Sequence, residues 1–362
     1  MFDFFLLLFG SIFVWFIFVF LFQKLFYKLN ILDNPKKYNL SRKPIPYSMW
    51  VVLFLSFFLI SFILTQIWAL DYNFKLWLIW VFWFFITAIS FLDDRLEVSP
   101  KIRLFFQIFI WAIIWITSIK IWYISNIFGW IINLETYYFI LFDIQIYVIP
   151  LIFTIIWYVF VFNALNWTDG IQWNTSWISI ISFFILFLLG LILFYRDDYE
   201  QGVKNAQFIM TISIILVGII IPFWYYDFNR KILMWDSGTM FLWFMLATLA
   251  IIAWGKIATV LVVFWIYSVD AIYVLIKRII NKKSPLRWDF SHLHHRLLDL
   301  WLERKQVLYL IYSLSLFFWL TALFLDRTWK IIVFFIIVIV VVFINKIVEA
   351  WMKWKHKISF RK

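Results

Sequence analysis

Four groups of residues in this chain have the types and spacing to do chemistry. Asp93 and Asp94 are adjacent carboxylates. They repel each other, and a divalent cation relieves that repulsion well. The stretch "NALNWTDGIQWNTSW", residues 163–177, offers Asn163, Asn166, Asp169 and Gln172 to a polar ligand. Asp236 precedes Ser237 and Gly238. His292, His294 and His295 are three of the chain's four histidines, and they lie between Arg287 and Arg296. Their spacing is not that of a helical zinc pair, and the chain has no cysteine to assist, which disfavours zinc. Histidines among arginines suit phosphate better.

Each group also has a plain alternative. Asp93–Asp94 could be an interfacial pair balanced by Arg95. Asp169–Gly170 and Ser237–Gly238 could be turn chemistry. Asp270, a costly carboxylate inside an apolar stretch, could pair with Lys277 or Arg278.

These residues must be positioned by membrane-spanning helices. The chain has 362 residues, of which 65% are hydrophobic and 14% charged. A soluble core of this size cannot hide that much apolar surface. A span needs about 20 apolar residues. Apolar stretches occur near 4–22, 50–66, 76–91, 104–122, 148–162, 177–195, 207–224, 240–254, 257–276, 306–325 and 331–348. The expectation is an all-α, polytopic integral membrane protein of about eleven transmembrane helices. It would be one domain over 1–362, with motifs in about 30–325 and a basic tail over 346–362. The first stretch reads as a retained helix, without a basic leader or a small-residue cleavage site.

The net charge of +12 would suggest nucleic acid on a soluble protein. Its distribution indicates topology instead, so no nucleic-acid partner is expected. With the N-terminus outside and the C-terminus cytoplasmic, the inward loops are 23–47, 92–103, 163–176, 225–239 and 277–305. With the tail, they hold 25 of the 32 Lys and Arg residues, as the positive-inside rule requires. The same loops carry nearly every polar cluster. Carboxylates for magnesium, amides for a polar ligand and Lys, Arg or His for phosphates would then face the cytoplasm beside lipid. That combination suggests phosphoryl transfer between a soluble nucleotide and a membrane-held acceptor. A transporter would instead show charges at mid-bilayer and internal repeats, and neither is evident.

The order of motifs resembles the polyprenyl-phosphate N-acetylhexosamine-1-phosphate transferases. "LDNP" and "RKPIP" are similar to that family's first loop, and "LDDRLEVSPKIRLFFQ" to its Asp-Asp loop. "NALNWTDGI", "MWDSGTMFLW" and "HLHHRLLDLW" are similar to its third, fourth and histidine motifs. The histidine pattern resembles the branch that takes UDP-N-acetylglucosamine or a similar UDP-N-acetylhexosamine, rather than the muramyl-pentapeptide branch. The resemblance implies a bacterial plasma-membrane enzyme with its active site on the cytoplasmic face. It would use Mg2+, with Mn2+ as an alternative, and transfer sugar-1-phosphate to polyprenyl phosphate, priming envelope polysaccharide. A homodimer is compatible with it, and so is an inactive relative that binds lipid phosphate alone. Carried over by position, Asp236 and Asp94 would bind metal. Asp93 and Asp94 would place the lipid phosphate. Asn163, Asn166, Asp169 and Gln172 would hold the nucleotide sugar, and Lys43, His292, His294, His295 and Arg296 the phosphates. Asp93, Asp94, Asp169 and Asp236 form the implied catalytic set. Gln172 departs from the family, where a second aspartate is common.

Tryptophan departs further. Trp50, Trp173, Trp177, Trp235, Trp243 and Trp301 stand where the family usually has glycine. The chain has 25 Trp and 8 Gly, whereas average usage predicts roughly 25 Gly at this length. Some bacterial lineages read UGA as glycine, and a translation taking UGA as tryptophan would leave this signature.

Overall fold

A computed structural model describes residues 3–35, 42–46, 49–67, 70, 74–96, 99–116, 119–125, 131–141, 144–166, 174–196, 198–229, 231–253, 265–282, 284, 292–299, 302–324 and 327–359. Their main elements are helices: α1 (Phe4–Lys28), α2 (Trp50–Gln66), α3 (Phe74–Leu96), α4 (Pro100–Ile116), α5 (Val148–Asn166), α6 (Asn174–Arg196), α7 (Glu200–Phe228) and α8 (Trp235–Ile252). Then follow α9 (Trp265–Ile280), α10 (Leu293–Asp299), α11 (Arg304–Phe324) and α12 (Arg327–Ser359). A helix falls on each apolar stretch predicted above. Four of them, α1, α5, α6 and α7, are long and apolar enough to cross a membrane, and shorter apolar helices accompany them. The all-α expectation fails in one place. Of the predicted span 104–122, the described residues are helical up to Ile116, and 119–122 are not helical. Beyond it lie strands β1 (Tyr123–Ser125), β2 (Ile131–Asn133), β3 (Tyr138–Leu141) and β4 (Ile144–Tyr147). β3 and β4 form an antiparallel hairpin with Tyr138 opposite Tyr147. β-branched and aromatic residues dominate here, and the pleat suits them.

The chain divides into two compact units. The first holds Met1–Ile124, Asn133–Phe162 and Thr175–Lys256, and the second Ser125–Ile132, Asn163–Asn174 and Ile257–Lys362. In the first, α1 starts at an N-cap, where Asp3 accepts from the backbone N–H of Phe5 and Leu6 at 3.0 and 3.2 Å. It ends beyond Lys28 with Asn30 at φ 53, the left-handed stop asparagine tolerates. α1 packs on α7 through Trp15, whose ring lies 6.2 Å from Phe223 and 5.3 Å from Tyr226. Gly218 lets them approach. A Cβ there would come within 2.6 Å of Ser11 Cβ and 2.8 Å of the Leu8 carbonyl oxygen. Small residues at such contacts let helix backbones close in where lipid supplies no hydrophobic drive.

A second seam joins α2, α3 and α8. Phe57, Trp83 and Phe241 are buried together, with Trp83 and Phe241 centroids 4.2 Å apart. α5 joins α8 through polar bonds. Trp157 Nε1 donates to the Ala247 carbonyl at 3.1 Å, and Tyr158 shares a hydrogen bond with Thr248 at 2.9 Å. Phe5, Phe13 and Ile339 remain largely exposed, as lipid-facing surface requires. In the second unit α9 and α10 each pack on α11 and α12.

Candidate functional site

Three of the predicted loops converge at one end of the first unit. Asp33, buried, organises the first of them. Its carboxylate accepts from both terminal nitrogens of Arg42 and from the Ile45 backbone N–H at 2.8 Å. A buried carboxylate with a guanidinium and a backbone donor is satisfied rather than stranded. Leu32 bridges Pro46, and Leu233 N–H donates to the Pro46 carbonyl at 3.0 Å. The first loop is thereby stitched to the segment leading into α8. Lys43 is exposed on it, and its carbonyl accepts from Arg42 at 3.2 Å.

Asp93 and Asp94 are helical, in the last turn of α3, and Asp236 is the second residue of α8. Ser237 and Gly238 continue that helix, so the turn alternative for this pair is set aside. The Trp50 ring lies 5.9 Å from Phe91 near the end of α3. A Cβ on Gly238 would sit 3.5 Å from Trp50 Cβ and 2.5 Å from Met234 Cγ. The end of α3 and the start of α8 are therefore neighbours through Trp50. The side chains of Asp93, Asp94 and Asp236 lie outside the described residues.

The electrostatics of these ends differ. Carboxylates in the last turn of α3 sit at the negative end of its dipole, the unfavourable end for them. A divalent cation would offset both that field and their mutual repulsion. Asp236 sits at the favourable, positive end of α8. Hard oxygen donors on two adjacent helix ends fit Mg2+ or Mn2+ in ligand type. Among the described residues no group of three or more His, Cys, Asp or Glu could hold a metal.

The second unit gathers two further motifs around α9. Tyr267 donates to Asn174 Oδ1 at 2.8 Å, tying down the end of the 163–177 stretch. One turn on, Asp270 is buried and meets His292 Nδ1 at 3.0 Å. It also accepts the Leu293 backbone N–H at 3.0 and 3.1 Å, so it caps α10. The sequence reading offered Lys277 or Arg278 as its partner, and the structure supplies His292 instead. The His292 and His294 rings are parallel within 8° at 6.0 Å, and His294 lies 4.1 Å from His295. His294 is buried, and its Nε2 has no partner among the described residues. Burial, with His295 and His292 adding to it, pushes its pKa down to about 2. His294 is neutral at physiological pH. Arg296 is buried, donates to Asn345 Oδ1 at 3.0 Å and stands 5.8 Å from the Tyr273 ring. Asn345 in turn donates to the Val341 carbonyl at 3.0 Å.

Asn163 and Asn166 are half-buried in the last turn of α5 rather than in a loop. Their spacing of three puts them on one helix face. Asp169 and Gln172 lie outside the described residues. Sequence reasoning missed Asp33, Asn174 and Tyr267 as organisers and left Asp270 out of the site. Asp33 lay inside a quoted motif, but nothing local marks its bond to Arg42.

Of the six tryptophans at motif glycines, Trp173 and Trp301 lie outside the described residues, as does the side chain of Trp235. The Trp177 ring lies 5.3 Å from that of Trp224, tilted by 43°. Trp50 and Trp243 have buried indole N–H groups with no acceptor among the described residues, a state shared by Trp15 and Trp83. Buried indoles usually find an acceptor, and each missing one costs about 1–3 kcal/mol.

Comparison with known proteins agrees with the motif order. Residues 76–254 match the family described as glycosyl transferase family 4. The chain is 25% identical over 281 residues to the probable undecaprenyl-phosphate N-acetylglucosaminyl 1-phosphate transferase of Bacillus subtilis, covering 74% of this chain and 70% of that one. It is 28% identical over 175 residues to the decaprenyl-phosphate N-acetylglucosaminephosphotransferase of Mycolicibacterium smegmatis, covering 42% of this chain and 41% of the relative. It is 26% identical over 233 residues to the phospho-N-acetylmuramoyl-pentapeptide-transferase of Listeria monocytogenes, covering 63% and 67%. The matched stretch 76–254 begins near the start of α3, includes its Asp93–Asp94 end and runs through the Asp236 helix. With the motif order on both sides of it, residues 76–254 are identified as a glycosyl transferase family 4 region.

Proposed function

We propose that the chain transfers N-acetylhexosamine 1-phosphate, from UDP-N-acetylglucosamine or a similar donor, to undecaprenyl or another polyprenyl phosphate. An oxygen of the lipid phosphate attacks the phosphorus that carries the sugar. The new P–O bond forms the lipid diphosphate, and the bond to the bridging oxygen breaks. UMP leaves with that oxygen and its electron pair. The observation that carries this reading is the meeting of the Asp93–Asp94 helix end with the Asp236 helix start, beside the loop bearing Lys43.

The nucleophile is largely ionised near neutral pH, so positioning and charge neutralisation outweigh base strength. Asp94 and Asp236 would hold Mg2+, with Mn2+ as an alternative, and the ion would shield the repulsion between the two phosphate groups. Asp93 and Asp94 place the acceptor phosphate. Asn163, Asn166, Asp169 and Gln172 hold the donor, and Lys43, His292, His294, His295 and Arg296 surround its phosphates. The reaction runs at the cytoplasmic face of the plasma membrane and primes envelope polysaccharide. The test is UMP release by purified protein from labelled UDP-sugars with prenyl phosphate and magnesium. Turnover of a UDP-muramoyl-pentapeptide alone would select the second reading, which the Listeria match favours.

Glycine at Trp50, Trp173, Trp177, Trp235, Trp243 and Trp301, through UGA recoding, belongs to the same proposal. The buried indoles of Trp50 and Trp243, without an acceptor among the described residues, are compatible with it. Reading the gene tests it directly.

A further inference from the structure

The far end of the first unit holds a cavity of about 310 Å³. It is bounded by Lys75 at the start of α3, Lys120 and Trp122 before β1, Asn205 on α7 and Ile252 at the end of α8. Lys75 precedes Asp93 by 18 residues on one helix, about 27 Å at 1.5 Å per residue. The cavity therefore lies at the membrane face opposite the acidic helix ends.

Among the described residues its lining holds two lysines and no carboxylate. Lys75 Nζ donates to Asn205 Oδ1 at 2.7 Å, and Gln201 Nε2 donates to the same oxygen at 3.3 Å. Two donors share one neutral acceptor, and Lys75 has three N–H groups to satisfy. Lys120 lies 4.4 Å from the Trp122 ring and 5.9 Å from that of Tyr147. Burial pushes the Lys120 ammonium below its usual pKa, against Glu135, which opposes the shift. An anion in the cavity would favour its charged form. The volume is at the lower end of the roughly 300–1,000 Å³ of small-ligand sites.

A second observation identifies where that anion comes from. The β3–β4 hairpin begins one residue after Tyr137 and runs straight into α5, with Val148 N–H bonded to the Tyr137 carbonyl at 3.0 Å. Its Tyr147 ring touches Trp122 at 5.5 Å, at the edge of the cavity. Phe139, Ile140 and Leu141 are about half exposed or more, at 48%, 64% and 48%. Side chains alternate across a strand, so both faces of this hairpin present apolar groups. A hairpin anchored to a membrane helix with two apolar faces fits the lipid interface rather than water.

We propose that this cavity binds the phosphate of an anionic phospholipid headgroup, with the hairpin among the lipids beside it. Lys75 and Lys120 supply the charge, and Gln201 and Asn205 the amide hydrogen bonds. The site is separate from the proposed transfer chemistry and does not depend on it.

The full chain is placed in nanodiscs of equal phosphatidylglycerol and phosphatidylcholine, then extracted, and the retained lipids are quantified by native mass spectrometry. Phosphatidylglycerol should be enriched on the order of tenfold. The pair Lys75→Gln and Lys120→Gln should abolish the enrichment, and the corresponding Lys→Arg pair should keep it. Equal retention of both lipids by the unaltered chain overturns the proposal, and that comparison stands even where the Gln pair fails to fold. Enrichment unchanged in a folded Gln pair also overturns it. Inorganic phosphate that binds in lipid-free detergent and displaces phosphatidylglycerol would overturn the lipid source and assign the site to the free anion.

Discussion

The acidic end of the first unit and the histidine cluster of the second are built by opposite means. In the first, aromatic packing and backbone bonds bring helix termini together: Trp50 on Phe91, Gly238 against Trp50 and Leu233 on Pro46. Its acidic residues sit at the tips of that scaffold. In the second, the polar residues are themselves the scaffold. Asp270, His292, Arg296 and Asn345 are buried and bonded to one another or to backbone. A charge at a helix tip can be exchanged without unpacking a core, whereas one partner of a buried pair cannot. Chemistry and stability should therefore separate in the first unit and travel together in the second.

The largest expected effect tests the first half of that contrast. Asp236→Asn and Asp94→Asn should each lower the rate of UMP release by about 10²–10³-fold, with thermal unfolding in detergent unchanged. Wild-type turnover in either variant would remove the metal assignment. A collapse in stability would show that the tips are scaffold after all.

An effect of similar scale concerns Trp173, Trp177 and Trp235. These positions should be encoded by UGA, and peptide masses from the native organism should show glycine. A tryptophan buries on the order of 200 Å², enough to fill space a sugar nucleotide needs. The tryptophan form should be silent and the glycine form active. UGG at all three codons would sink the idea and favour an inactive relative.

In the second unit, Asp270→Ala leaves His292 and the Leu293 N–H without their acceptor. Breaking a buried pair costs about 3–5 kcal/mol. Unfolding should move to lower temperature, and hydrogen exchange over 292–299 should rise. An unchanged melt would mean that packing, not the polar cluster, holds this unit.

The smallest effect is a pH dependence. His294 has a folded pKa pushed below its ordinary 6.5, so below that value the unfolded chain binds the extra proton. Its contribution to stability is intact above about 6.5 and falls as pH drops toward 2. Going from pH 7.5 to 5.5 should cost about 1.4 kcal/mol, and His294→Phe should flatten that slope. A slope that survives the substitution would assign the dependence to another group.

Composition and local pattern suffice for part of this molecule. An apolar run long enough to bury its backbone in lipid has to satisfy its own hydrogen bonds, and a helix does so within one segment. That is why the apolar stretches could be marked in the sequence and each carries a helix. The boundaries were less legible. Asp93, Asp94, Asn163, Asn166 and Asp236 all read as loop residues, yet they occupy the terminal turns of α3, α5 and α8. Polar side chains lower the local hydropathy without stopping the backbone's hydrogen bonding. The motif order, and with it the family, was also readable, because each motif is short and contiguous.

The partnerships were not readable. Asp270 takes His292 from 22 residues away instead of a lysine or arginine on its own helix, and Tyr267 takes Asn174 from 93 residues away. Asp33 finds Arg42 and Ile45 where the chain doubles back on itself. Such bonds have no periodic signature. They depend on which helix faces pack together, and packing is a property of the assembled bundle, in which a residue's neighbours are chosen by shape and by the need to satisfy buried polar groups.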